Sequence, residues 1–237
     1  MKGVYYFLNG LTLLFRPGVK RYVIVPVIVN VVLFIALFFL MKHVVGIFNA
    51  WFYDFLPAWL HWLTFILWML FFASFFLFFV YAFVIITNVI AAPFNSFLSE
   101  KIEYHLTGRI IASRSLWENI KDVPRIIGRQ LMILFYFLPF ALFMLLLFFI
   151  PVVQLVAPVC WFLFHAWFMS LTYLDYPTDN HHIPLADVRK WMRQKPGLTF
   201  SFGISALLFS MIPFLNFFAI PAAVAGATEL WLSEREG

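Results

Sequence analysis

Residues 22–41, YVIVPVIVNVVLFIALFFLM, form an apolar stretch that contains no charged side chain. At about 1.5 Å per residue, a helix of this length reaches roughly 30 Å, which is the thickness of the hydrocarbon core of a bilayer. The stretch therefore predicts one full membrane span.

Three further stretches contain no Asp, Glu, Lys or Arg, and they cover residues 55–99, 130–174 and 196–228. Of the 237 residues, 64% are hydrophobic and 11% are charged, whereas a soluble domain carries roughly 25% charged residues. A globule of this size cannot hide so much apolar surface from water. We therefore expect an all-α integral membrane protein. Disordered proteins, nucleic-acid-binding modules and disulfide scaffolds are excluded as the main interpretation, the last because Cys160 is the only cysteine.

Prolines divide the last two stretches. Pro151 splits residues 130–174 into two arms of roughly 30 to 35 Å, a length that permits either two spans or a re-entrant hairpin. Pro213 and Pro221 leave arms of about 24 Å in residues 196–228, which is short for a crossing. We predict two long transmembrane helices, two proline-broken, partly inserted helical hairpins, and interfacial amphipathic helices.

The predicted organisation is a single membrane domain over residues 1–237. In chain order its segments are an interfacial helix, the first span, a second long helix, the first hairpin, a second interfacial helix and the second hairpin, over residues 1–16, 20–50, 58–107, 118–174, 184–194 and 197–233. The interfacial helices follow from apolar residues at helical spacing. We expect loops at residues 42–54 and 174–182.

Basic residues predict which side of the membrane each segment faces. They cluster before the first span, after the second long helix and between the hairpins, while residues 42–54 hold only Lys42. Lys and Arg near span ends are retained on the cytoplasmic side. Two spans and two returning hairpins put every basic cluster and both termini on one face. One crossing per apolar stretch would instead place the 189–195 cluster opposite the 101–129 cluster.

A turn at Pro17 and Gly18 lies just before the first span, and Lys20 and Arg21 follow in the first helical turn. A helix start presents free N–H groups and the positive end of the helix dipole. An oxyanion such as sulfate or phosphate fits this arrangement. The alternative is that Lys20 and Arg21 only reach lipid headgroups and fix the orientation of the span.

Polar residues continue beyond Pro93 on the second long helix. Asn95, Ser99 and Glu103 are spaced four residues apart and therefore share one helical face. Two arginines one turn apart, Arg125 and Arg129, follow on the next helix. If the two sets face each other, they line an aqueous entrance. The candidate translocation pathway is then Asn95, Ser99, Glu100, Glu103, Arg125 and Arg129. The alternative is an ordinary solvated cytoplasmic loop with neutralising ion pairs.

Carboxylates and histidines cluster only at residues 175–182. The adjacent His181 and His182 are poorly placed to bind one ion together, and the sequence has no His-Glu-x-x-His or cysteine spacing. Gly-x-Ser-x-Gly and the phosphate-binding ATPase loop are also absent. We predict no metal, no cofactor and no enzymatic activity.

Several spaced motifs, in the same order and through nearly the whole chain, resemble the bacterial CysZ family of sulfate permeases. They are Gly18–Pro26, Ile90–Asn95, Lys121–Arg125, Ala157–Phe164, Asp175–His181 and Met211–Asn216. The resemblance implies a multi-pass protein of the bacterial inner membrane that imports sulfate for cysteine biosynthesis. It also implies a homo-oligomer surrounded by membrane lipid, with sulfite as an alternative substrate and no nucleic-acid partner.

The resemblance also implies where the anion binds. In the family, sulfate lies at a Gly-Leu-Arg type turn before the first long helix, and the matching positions are Gly18, Val19, Lys20 and Arg21. Lys20 departs from the pattern because its ammonium lacks the bidentate fork of arginine, so we expect Arg21 to hold the larger share of the oxyanion. Two other functions stay open: a membrane scaffold or assembly protein without transport activity, and a membrane enzyme that uses the 175–182 loop.

Overall fold

A computed structural model describes residues 2–55, 61–108, 116–212 and 215–235. Within these ranges the chain forms helices and connecting turns and has no strand. The helices are α1 (Lys2–Leu13), α2 (Lys20–Phe55), α3 (His61–Thr107), α4 (Leu116–Leu147), α5 (Ala157–Asn180), α6 (Leu185–Gln194), α7 (Pro196–Ser210) and α8 (Asn216–Glu234). The all-α class predicted from the charge-free stretches is confirmed.

Three helices are long and apolar enough to cross a membrane within the part of the chain that was described. They are α2 over Lys20–Ile47, α4 over Lys121–Leu147 and α5 over Ala157–Asn180. α7 and the Trp68–Val80 part of α3 are shorter apolar segments. Both arms of the first hairpin therefore have the length of a span, and how deeply each hairpin inserts stays a prediction.

The chain divides into two compact units. One is Pro26–Ala91, which holds α2 from Pro26 to its end and the first part of α3. In this unit the Phe34 and Phe83 rings meet edge to face with their centroids 5.8 Å apart. Large apolar side chains such as Phe39 and Phe78 are exposed on its surface. Such a surface is favourable in contact with lipid tails and unfavourable in contact with water.

The second unit is Met1–Val25 with Ala92–Gly237, and its core lies between α1, α5, α7 and α8. Phe7, Leu171, Phe202 and Leu230 are fully buried there. α1 approaches α8 closely at Gly10, where an added Cβ would overlap the carbonyl oxygen of Ala222. Glycine permits this approach because it has no side chain, which is how small residues let apolar helices pack.

The loop predicted at residues 42–54 is wrong, because α2 continues as helix to Phe55. Lys42 and His43 are exposed on the surface of this helix and need no break in the backbone to reach a polar environment. Gly46 is the only glycine in this part of the helix, and an isolated glycine weakens a helix without ending it.

Candidate functional site

The turn before α2 is held by two main-chain hydrogen bonds. Val19 N–H donates to the Arg16 carbonyl at 3.2 Å, and Tyr22 N–H donates to the Val19 carbonyl at 2.9 Å. The Val19 side chain is fully buried, so it anchors the turn in the core. Gly18 has φ of +78°, a conformation that glycine adopts without steric cost. We call residues 16–21 the cationic turn.

The cationic turn has free donors. Among the described residues, no main-chain acceptor receives the N–H groups of Gly18, Lys20 or Arg21. Lys20 and Arg21 are both exposed. The Arg21 guanidinium lies 4.8 Å from the centre of the Tyr22 ring and donates from Nη2 to Tyr22 Oη at 2.9 Å. Its other N–H groups remain available to an anion.

The end of α3 brings a further cation to the cationic turn. Lys101 Cε lies 3.4 Å, and its Nζ 3.9 Å, from the position that a Cβ on Gly18 would take. His105 Nε2 donates to the Pro17 carbonyl at 2.9 Å, which fixes the end of α3 against the turn. From the sequence, Lys101 is only a member of the basic cluster after the second long helix. Its place beside Gly18 depends on helix packing, which no local pattern reports.

The polar stripe on α3, which consists of Asn95, Ser99 and Glu103, faces inward. Asn95 Nδ2 donates to Tyr176 Oη at 3.2 Å, and the Ser99 and Thr228 hydroxyls lie 2.8 Å apart. The Glu103 carboxylate oxygens lie 2.9 and 3.0 Å from His181 Nε2. Glu100 is half-buried on the neighbouring face of the helix. The stripe therefore packs against α5 and α8.

The two arginines of α4 pair with the last two turns of α5. Arg125 Nη1 donates to Asp179 Oδ1 at 2.6 Å. Arg129 donates to Asp175 Oδ1 from Nη2 at 2.7 Å and from Nε at 2.9 Å. The side-chain exposed fractions are 1% for Asp175, 13% for Arg129 and 33% for Arg125. Burial is therefore deepest at the Asp175–Arg129 pair and decreases toward Arg125.

We call these contacts together the polar seam. It comprises Asn95, Ser99 and Glu103 of α3, Arg125 and Arg129 of α4, Asp175, Tyr176, Asp179 and His181 at the end of α5, and Thr228 of α8. The stripe and the arginines were expected to face each other. In the structure each set contacts the end of α5 instead.

The loop predicted at residues 174–182 is also wrong, because α5 continues to Asn180 with Pro177 inside it. The polar side chains at the end of α5 are buried and paired: Asp175 and Asp179 meet the arginines, and Asn180 exchanges hydrogen bonds with Ser96. His182, beyond the helix, is exposed. Buried polar groups are tolerated when they are paired in this way. The carboxylates that an enzyme site at residues 175–182 would use are therefore engaged in ion pairs.

One sequence pattern points to the seam in hindsight. Arg125 and Arg129 are four residues apart, as are Asp175 and Asp179, so two helices carry opposite charges with the same one-turn spacing. Asp175, Asp179, Tyr176, His181 and Thr228 were not predicted as partners. No group of three or more His, Cys, Asp or Glu suited to a metal occurs among the residues described.

These features define a multi-pass, all-α membrane protein with open cations at a helix start and paired charges inside. The family model described as Sulfate transporter CysZ/Etoposide-induced protein 2.4 matches residues 6–221. A Vibrio cholerae serotype O1 protein named Sulfate transporter CysZ is 40% identical over 234 residues, covering 98% of this chain and 93% of that protein. A Pectobacterium atrosepticum protein of the same name is 42% identical over 231 residues, covering 97% and 84%.

The chain therefore belongs to the Sulfate transporter CysZ/Etoposide-induced protein 2.4 family, which confirms the resemblance seen in the motifs. Both relatives carry the name of a transporter, a class of protein that is not enzymatic.

Proposed function

We propose that this chain is a sulfate permease of the bacterial inner membrane, that it supplies sulfate for cysteine biosynthesis, and that it works as a homo-oligomer in lipid. The transporter names of its relatives support sulfate as the substrate. The binding site is supported by the free N–H groups of Gly18, Lys20 and Arg21. The side chains of Lys20 and Arg21 follow in the same turn, and Lys101 lies beside Gly18.

This arrangement suits a dianion for three reasons. The free N–H groups at the start of α2 supply directed donors and the positive end of the helix dipole. Arg21 supplies charge-assisted hydrogen bonds from a planar fork. Gly18 has no Cβ, and this keeps the space beside Lys101 open. Val19 contributes indirectly: its N–H donates to the Arg16 carbonyl and its side chain is buried, so it holds the shape of the turn around the free donors.

We further propose that the anion continues along the pathway of Asn95, Ser99, Glu100, Glu103, Arg125 and Arg129. Arg125 is its outermost arginine and shares its guanidinium between Asp179 at 2.6 Å and Asp122 at 3.6 Å. An incoming anion would replace these carboxylates as the acceptor. Passage would therefore require the ion pairs of the polar seam to open one after another.

Two measurements test this function. Uptake of radiolabelled sulfate into proteoliposomes tests transport, and calorimetry on the detergent-purified protein tests binding. We expect Arg21→Ala to weaken sulfate binding roughly ten- to hundredfold, because hydrogen bonds to a charged group contribute about 1.5–3 kcal/mol. Lys42→Ala is the control, because it removes an exposed cation outside both the cationic turn and α6.

The outcomes separate the claims. If the wild-type protein takes up no sulfate, the proposed permease function is wrong. If the wild type takes up sulfate and Arg21→Ala binds it as tightly as the wild type, the function stands but the cationic turn is not the binding site. Equal losses for Arg21→Ala and Lys42→Ala would mean that only the overall positive charge matters.

A further inference from the structure

The short helix α6 joins the ends of two apolar helices. α5 ends at Asn180 and α7 begins at Pro196, and these two helices pack against each other. α6 is therefore held where both of them leave their apolar environment. In a bilayer this is the level of the lipid headgroups.

One face of α6 is fixed in the core. Val188 and Met192 are fully buried, and the Trp191 ring meets the Trp231 ring edge to face with centroids 5.3 Å apart. Lys190 and Arg193 lie on the opposite face and are exposed. The buried face thus determines the direction in which the two cations point.

The cations of α6 are not neutralised by the protein. In the part of the chain that the structure describes, Arg189, Lys190 and Arg193 form no salt bridge, and neither does the single carboxylate of the helix, Asp187. The next cation, Lys195, differs, because its Nζ lies 3.7 Å from Glu234 Oε2.

Arg189 is half-buried beside these exposed cations. Its guanidinium carbon lies 4.4 Å from the centre of the Tyr136 ring, and its Nε is buried with no acceptor among the described residues. A half-buried tryptophan, a stacked arginine and two exposed cations on one helix match the chemistry of a lipid headgroup region.

We propose that α6 is a docking surface for anionic phospholipid, with Lys190 and Arg193 contacting the headgroup phosphates. This inference is independent of the sulfate site. A lipid fits better than a soluble phosphate because the cations lie beside Trp191 at the ends of apolar helices, where the acyl chains of a bound lipid have apolar surface to cover. Screening by salt weakens contacts of this kind.

The test compares phosphatidylglycerol with phosphatidylcholine, each added to the full chain in neutral detergent. The readouts are the thermal unfolding midpoint and the lipid retained in native mass spectra. The double variant Lys190→Gln/Arg193→Gln should lose about fivefold in phosphatidylglycerol affinity per cation, with an unchanged response to phosphatidylcholine. The matched control for each single variant, Lys190→Gln and Arg193→Gln, is Lys42→Gln, which removes one exposed cation outside both α6 and the cationic turn and should keep the affinity.

The unchanged response to phosphatidylcholine also shows that the α6 variant is folded. Equal phosphatidylglycerol affinity in the wild type and the α6 variant would overturn the proposal. So would an equal loss in the control variant, or a stabilisation by inorganic phosphate as large as that by phosphatidylglycerol.

Discussion

The cationic turn and the polar seam both gather positive charge, but they leave it in different states. In the seam, Arg129 is mostly buried and donates two hydrogen bonds to one carboxylate oxygen of Asp175. In the turn, Lys20 and Arg21 are exposed and, within the described residues, meet no carboxylate. Charge in this protein therefore stabilises the fold where it is paired and remains available to a ligand where it is not.

The largest effect is expected in the seam. Asp175→Asn removes the charge opposite a buried arginine, so we expect a loss of about 3 kcal/mol in the free energy of unfolding, measured in mixed micelles. Asp187→Asn is the control, because Asp187 is exposed and has no described salt bridge. A double variant, Arg129→Met/Asp175→Leu, should recover much of the loss, since it removes both charges. A loss in the double variant as large as in Asp175→Asn would mean that the pair does not act through charge.

The second largest effect is expected at Gly18. Gly18→Ala puts a Cβ at φ of +78° and 3.4 Å from Lys101 Cε, so it should cost about 1–2 kcal/mol of stability and also weaken sulfate binding. Gly108→Ala is the matched control, because Gly108 has φ of +69° and open space around the added Cβ. It should cost similar stability and leave sulfate binding unchanged. If both variants weakened sulfate binding, the loss in Gly18→Ala would not be due to Lys101 and the cationic turn.

The helical class could be predicted because a charge-free apolar stretch in a bilayer must satisfy its backbone hydrogen bonds internally. Residues 22–41 illustrate this, since they lie wholly within α2, Lys20–Phe55. The end of α5 could not be predicted in the same way. The local sequence Asp-Tyr-Pro-Thr-Asp-Asn favours a loop, and it is helical because partners from distant parts of the chain, Arg125, Arg129 and Ser96, satisfy its polar groups.

Only part of the candidate site could be predicted from the sequence. Lys20 and Arg21 are adjacent to the turn in sequence, so their proposed role follows from the position of Pro17 and Gly18 before an apolar helix. Lys101 is distant in sequence and reaches the turn only because the end of α3 packs there, with His105 bonded to Pro17. Contacts between helix ends of this kind depend on the tertiary structure.

A smaller effect is expected for Lys101→Gln. One point charge at about 4 Å contributes about 1 kcal/mol in water, so sulfate affinity should fall about fivefold while the unfolding midpoint stays unchanged. Lys42→Gln is the control, because it removes the same charge from an exposed position outside the turn. Calorimetry at two ionic strengths checks the cause, since screening should reduce the difference between wild type and Lys101→Gln. An affinity equal to that of the wild type would remove Lys101 from the site.

The smallest effect is expected at Glu234, where an exposed ion pair resembles neither the buried seam nor the open turn. The hydrogen bond from Lys2 Nζ, at 3.1 Å, lowers the pKa of the Glu234 carboxyl below its ordinary value of 4.5. The stability from this pair is therefore fully present above pH 4.5 and is lost as the pH falls through the lowered pKa. Glu234→Gln should slightly lower the unfolding midpoint at pH 7 and have no effect at the acid end of the range. Equal midpoints for wild type and variant at pH 7 would show that this pair contributes nothing, as is common for exposed ion pairs.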